Sequence, residues 1–238
     1  GYAFRSMHRF DYGPEACMRF HEGVENAIVP LVRAIHRKRA SVLGLDDLRP
    51  WDLTVDPKGR EPLKPFSGGA DLVRRTRAVL RRLDAGLAEM FESLGDGAGR
   101  IRRASDAGAV CLDLDSRKGK APGGYQYMLD RSNKPFIFMN AAGMNRDVET
   151  MVHEAGHAFH SMLCAHEPLV EYRHSPTEFA EVASMSMELL TMDHLGGKDA
   201  FYASPEDHAR ARREQLERAI VILPWIATID AFQHWVYA

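Results

Sequence analysis

The sequence predicts a mainly α-helical chain with one small β-sheet, set directly before a helix that carries the pentapeptide His153-Glu154-Ala155-Gly156-His157. Three observations point there. Apolar residues recur at helical spacing along most of the 238 residues, β-type runs are confined to one interval in the middle, and the helix starts after that interval are strongly marked.

Taken in order, Pro14 opens an apolar-periodic stretch through Phe20, Val24, Ile28, Leu31 and Ile35, closed by Gly44. Pro30 lies inside it and should kink that helix, because its ring removes an N–H and crowds the carbonyl four residues back. A second helix is expected from about Asp71 to Leu94, with Leu72, Val79, Leu80, Leu83, Leu87 and Phe91 on one side. The Gly95-Asp96-Gly97 cluster breaks it. Three strand-like runs follow, Ala109 to Asp113, Gly124 to Met128 and Pro135 to Asn140, and together they read as one small sheet.

Asn145 is expected to cap a helix from about Arg146 to Ala165, with Asp147 and Glu149 near its positive end. Ser175-Pro176-Thr177-Glu178 reads as a capping box with Pro at the first helical position, and Gly196-Gly197 ends that helix. Ser204-Pro205-Glu206-Asp207 repeats the start signal, and Pro224 should kink the helix that follows. The expected organisation is one region over residues 1–238, helical to about residue 100, then a small sheet with the helices that carry the chemistry.

Charge is nearly balanced, with 31 Lys+Arg against 33 Asp+Glu. The Arg-rich pieces (Arg74, Arg75, Arg77, Arg81, Arg82; Arg210, Arg212, Arg213) fall in helical patterns, where they read as solvated faces, so nucleic acid is not expected as a partner. Cys17, Cys111 and Cys164 form no CxxC pair and no disulfide framework, which makes reduced thiols in a cytoplasm the expectation. No apolar run is expected to approach the roughly 20 residues of a membrane span and the N-terminus has no signal-peptide layout, so no membrane partner is expected. The opening Gly1-Tyr2-Ala3-Phe4, without Met, hints that the natural start is missing.

The chemistry centres on Thr150 to His160. At about 100° per residue, His153 and His157 lie only about 40° apart on the helix, one turn above the other, so both imidazoles can converge on one metal ion. Glu154 is about 100° round from His153, too far for a natural third ligand but close enough to reach a metal-bound water. Catalytic zinc needs a third protein ligand and one open position. The metzincin arrangement would require Gly at 160 and His at 163, where this chain has His160 and Leu163. The gluzincin arrangement needs a Glu on a second helix roughly 20 to 30 residues on, and Glu178, Glu181 and Glu188 are candidates. Glu178 is the capping-box residue, Glu181 lies one turn inside, and Glu188 shares its face and suits an orienting role. Residue type and spacing alone leave Glu181 at even odds.

Phe179-Ala180-Glu181-Val182-Ala183-Ser184, placed after His-Glu-Ala-Gly-His, resembles the thimet oligopeptidase and oligoendopeptidase F family of zinc metallopeptidases. Arg117-Lys118-Gly119-Lys120-Ala121-Pro122-Gly123-Gly124-Tyr125 is similar to that family's Gly-Lys-rich turn, and Pro135 to Asn140 to the strand preceding its zinc helix. Asp230 to Tyr237 resembles a segment after the third ligand, and Tyr12 to Asp47 fits more loosely.

The resemblance implies a zincin-like helical metallopeptidase fold, one zinc ion held by His153, His157 and Glu181, and Glu154 as general base on the zinc-bound water. It implies oligopeptide substrates cleaved internally. Family members are typically more than twice this long, so the chain is expected to be their central portion. The family's substrate-binding tyrosines and histidine would lie beyond it, and the chain alone is expected to bind zinc but hydrolyse poorly. Family members usually carry a larger residue where this chain has Ala155, on the packing side of the helix.

Two other classes stay open: a gluzincin exopeptidase or aminopeptidase, and a non-catalytic peptide-binding fragment. The commonest aminopeptidase version places its Glu closer to the second His than Glu181 stands to His157, and its Gly-Ala-Met-Glu-Asn segment is not found. His160 reads as a packed histidine or a substrate-side group, and Gly123-Gly124 as a hairpin turn or a point of close backbone approach. Phe136 to Asn140 reads as core or as a strand edge offered to a peptide. Oligomeric state has no signal in the sequence.

Overall fold

The computed structural model describes residues 11–98, 111–129 and 131–237. They fall into two compact units, one built from the chain up to Glu61 together with Arg213 onward, the other from Pro62 to Arg212.

In the first unit, α1 (Pro14–Gly23) and α2 (Val29–Leu43) are joined by a single π-turn over Val24–Ile28. The cause is Pro30. A regular helix would drive its ring into the Asn26 carbonyl, and the wider turn, closed by the Val29 N–H on the Val24 carbonyl, makes room. The expected disturbance is therefore a bulge one turn before the proline. Gly44 ends α2 in the left-handed conformation (φ 68°), and Leu45 N–H returns to the Ala40 carbonyl.

The second unit begins with α3 (Gly68–Leu83) and α4 (Ala85–Glu92). The sequence predicts one helix here. Asp84 divides it by adopting extended backbone and accepting a hydrogen bond from Leu87 N–H, so it caps α4 instead of continuing α3. Strands β1 (Leu112–Asp115), β2 (Tyr125–Leu129) and β3 (Lys134–Ala141) form one sheet in the order β1-β3-β2, with β1 parallel and β2 antiparallel to β3. Ala109 and Val110 of the first expected strand lie outside the described residues. Because β3 is the central strand, both of its edges are occupied. Phe136, Ile137 and Met139 are buried, so this run is core, and β2 is the edge strand nearer the helix that carries His153 and His157.

That helix, α5, spans Asn145–Cys164. Its N-cap is Met144, one residue earlier than expected, and the anchoring side chain is Asp147, which accepts from the Ala142 and Met144 N–H groups. Asn145 is inside the first turn, bonded to Glu149 and to the Tyr202 hydroxyl. The next helix also starts differently. The chain enters through a 3-10 turn (Thr177–Phe179), N-capped by Pro176, and regular helix α6 runs Val182–Thr191 with Glu181 as its N-cap. Glu181 thus sits at the helix mouth, not one turn inside.

Helix α7 (Pro205–Val236) starts where the sequence places it, with Ser204 Oγ accepting from the Glu206 and Asp207 N–H groups, and it continues through Pro224. By length and composition alone α7 could cross a membrane, which is not expected of any segment from the sequence, although Pro224, Asp230, Gln233 and His234 lie within it.

One core organises the second unit. Leu72, Val79, Leu80, Phe91, Leu112, Leu114, Ile137, Met139, Val148 and Met151 are essentially solvent-free and join the sheet, α3, α4 and α5.

Candidate metal centre

His153 and His157 leave α5 on its α6 side, their ring centroids 4.9 Å apart. Facing them, Glu181 Oε2 lies 3.1 Å from His153 Nε2 and 3.3 Å from His157 Nε2. Two imidazole nitrogens and one carboxylate oxygen, from two helices, therefore converge on a point, and these three residues form a potential metal-binding group.

The convergence depends on a glycine. A Cβ at Gly156 would stand 2.6 Å from Ser184 Cα and 2.7 Å from the Ala183 carbonyl oxygen, so α6 packs directly on the backbone of α5 at this point. Ala155, beside it, is fully buried on the packing side. Ser184, also buried, donates from its hydroxyl to Glu181 Oε2 at 2.7 Å, which fixes the carboxylate that the histidines face.

His153 Nδ1 is bonded to Glu188 Oε1 at 2.7 Å. A carboxylate on Nδ1 holds the proton there and turns the Nε2 lone pair toward Glu181, the arrangement typical of metal-ligating histidines. The Glu188 hydrogen bond, working against burial, raises the His153 pKa, while burial lowers that of His157. His160 is half-buried, and its charge adds to the depression at His157.

Glu154 is buried beneath β2. Burial raises its pKa; the His153 charge opposes this, the Glu181 charge reinforces it, and a hydrogen bond from the Gln126 backbone also opposes it. A base whose charged form is partly disfavoured is tuned toward neutral pH. Gly124 explains how β2 comes this close: a Cβ there would lie 3.1 Å from Thr150 Cγ2, 3.5 Å from the Phe138 carbonyl oxygen and 3.8 Å from Glu154 Oε1. The glycine pair divides its roles, since Gly123 (φ 105°) makes the turn and Gly124 the close approach.

The turn itself is anchored from below. Lys120, whose side chain is 1% exposed, donates to the Asp113 and Asp115 carbonyls and to the Asp113 carboxylate, and lies 4.4 Å over the Phe138 ring. Asn140 donates to the Ala121 and Gly123 carbonyls. The structure brings together His153, His157, Glu181 and Glu188, all singled out in the sequence, with Glu154 beside them. Sequence reasoning misses Gly156 and Ser184 as the parts that bring Glu181 in, and the Gln126 backbone as a partner of Glu154.

The sequence profile of peptidase family M3 matches residues 101–238, more than half of the chain and all of the centre just described. The chain belongs to peptidase family M3. Among M3-like relatives, it is 27% identical over 170 residues to the group B oligopeptidase PepB of Streptococcus agalactiae, covering 71% of this chain and 26% of that one. Among solved structures, one from Bacillus anthracis described as an oligoendopeptidase F superposes with a TM-score of 0.84 at 28% identity, covering 98% of this chain and 40% of the other. Pz peptidase A, solved with an inhibitor, gives 0.82 at 29% identity, with 98% and 38% coverage. The chain thus spans well under half the length of these relatives.

Proposed function

We propose that this chain carries the active site of a zinc-dependent endopeptidase that hydrolyses short peptides, with His153, His157 and Glu181 as zinc ligands and Glu154 as the general base. The observation that carries the proposal is the single carboxylate oxygen of Glu181 standing within 3.3 Å of both histidine Nε2 atoms. The donor set suits zinc, which takes imidazole nitrogen and carboxylate oxygen and keeps a fourth position open at catalytic sites. When bound, the ion would supply Lewis acidity toward a water molecule and the scissile carbonyl.

The protein's own groups do the rest. Glu188 holds the Nδ1 proton of His153, and Ser184 orients the Glu181 carboxylate. Glu154 takes the proton from the attacking water at its carboxylate and passes it to the departing amine, while the Gln126 backbone holds that carboxylate in place. A reducing cytoplasm is the proposed location and oligopeptides are the proposed partners.

The test is metal content alongside cleavage of an internally quenched peptide with blocked ends. Alanine at His153, His157 or Glu181 should each sharply reduce bound zinc, and Glu178→Ala should not. Full zinc occupancy in Glu181→Ala would remove Glu181 from the ligand set.

A further inference from the structure

The unit that lacks the zinc motif carries a second convergence of metal-binding side chains. Cys17 and His21 stand one turn apart on α1, and Asp230 and His234 one turn apart on α7. The Cys17 Sγ, an Asp230 carboxylate oxygen and a His234 ring nitrogen all lie within 4.8 Å of one another. His21 Nε2 is 2.7 Å from Asp230 Oδ2, and His234 Nε2 is 3.5 Å from the same oxygen. The His21 and His234 rings meet edge to face at 6.3 Å.

We propose that Cys17, Asp230 and His234 bind a second metal ion of the late divalent transition series, zinc or cobalt in class, with His21 orienting the Asp230 carboxylate. The donor set decides the class. A thiolate and an imidazole beside one carboxylate suit a borderline-soft ion and are wrong for magnesium or calcium, which take oxygen ligands. The geometry is within reach, because ligand atoms around a tetrahedral zinc stand about 3.5 Å apart and small side-chain rotations close the remaining gap. His21 then plays the part that second-sphere partners play at known sites, fixing one carboxylate oxygen by a hydrogen bond.

Two features of the surroundings favour an ion here. All four side chains are partly buried, and a cavity of about 310 Å³ is lined by two of them, Cys17 and Asp230, together with Tyr12, Ala16, Phe20 and Ile226. The unit also has little core of its own: Val24 is its one buried hydrophobic residue among those described. Folded segments with small cores commonly gain stability from a metal clip, and this one would tie α1 to α7 across more than 200 residues of chain.

The site is independent of the zinc motif, and the experiment keeps the two apart. The purified chain is stripped with chelator and reloaded with Co²⁺ alone, then analysed for metal content and for a thiolate-to-cobalt charge-transfer band. His153, His157 and Glu181 supply no sulfur, so that band cannot come from them, and variants at the other two free thiols separate Cys17 from Cys111 and Cys164. The expected result is two ions per chain and a clear band. His157→Ala should retain one ion and the band. Cys17→Ser should retain one ion and lose the band, and Cys111→Ser and Cys164→Ser should leave both unchanged. If circular dichroism shows Cys17→Ser unfolded, His234→Gln provides the same loss of one ion with the thiol intact. Absence of the band in the parent chain, its survival in Cys17→Ser, or two ions retained in His234→Gln would each overturn the proposal.

Discussion

Leu72, Leu80, Phe91, Leu112, Ile137 and Met151 are sealed inside the Pro62–Arg212 unit, whereas the other unit leaves Trp225, Phe232, Trp235 and Tyr237 more than half exposed. The paired helices that carry His153, His157 and Glu181 are both in the well-packed unit. A ligand set tolerates errors of only about half an ångström, and such tolerance requires rotamers locked by packing. Here Gly156, Ala155 and Ser184 provide that lock. The other unit is held by polar clamps such as His21 on Asp230 and by a proline-adjusted helix, a construction that opens locally at lower cost.

Several experiments would break or sharpen this contrast, beginning with the steepest. Chemistry confined to the packed unit predicts that Glu154→Gln lowers hydrolysis by about 10²–10⁴-fold or more, as expected for loss of a general base, with zinc content unchanged. Steady-state rates on a blocked peptide, paired with metal analysis, decide it; a near-normal rate would remove Glu154 from the chemistry.

Stability should divide the same way. Phe91→Ala empties a fully buried site and should cost about 3–5 kcal/mol, while Trp225→Ala, at an exposed position, should stay within about 0.5 kcal/mol. Urea midpoints of the two variants measure the difference, and equal losses would erase the contrast between the units.

Gly156→Ala tests the link between packing and ligation. The added methyl meets Ser184 Cα and the Ala183 carbonyl, so a loss of about 1–3 kcal/mol and weaker zinc retention against a chelator are expected together. Lost stability with unchanged zinc affinity would show that α6 can retreat without carrying Glu181 away.

The smallest effect is a pH dependence. Burial pushes the Asp113 pKa up, but hydrogen bonds from Arg117 and Lys120 outweigh it and hold the carboxyl below its ordinary value. A carboxyl with a depressed folded pKa contributes stability that is fully present above the unfolded value of about 3.9 and is lost as pH falls through the folded one. The parent chain should therefore lose stability over that acid interval, and Asp113→Asn should be less stable at neutral pH with a flatter acid limb. An acid limb of the same slope in both proteins would assign the effect to other carboxyls.

What is legible in the sequence is whatever has a local cause. The phase of His153 against His157 is fixed by helical pitch, and Ser204 reads as a cap because the donors it satisfies are two and three residues away. Pro30 predicts a disturbance, though its form, a π-turn upstream, depends on how the backbone finds room. Asp84 is hidden because an aspartate surrounded by good helix formers gives no sign of choosing extended backbone. The Gln126 contact to Glu154 leaves no trace at all, since every residue but proline carries the same backbone donor. Glu181 needs more than spacing, because its approach to α5 is decided by a glycine on the opposite helix.

That glycine changes what the pentapeptide says. Written as two histidines and a glutamate with two unspecified positions, the motif is a statement about ligands alone. In this fold the second unspecified position is a steric gate: with a side chain there, the backbone of Ser184 could not come so near, and Glu181 could not face the two histidines as it does here. A search for chains that complete a zinc site in this manner would therefore gain selectivity by requiring Gly before the second histidine. Chains that match the ligand letters but place a bulky residue there should be expected to close their site by a different route.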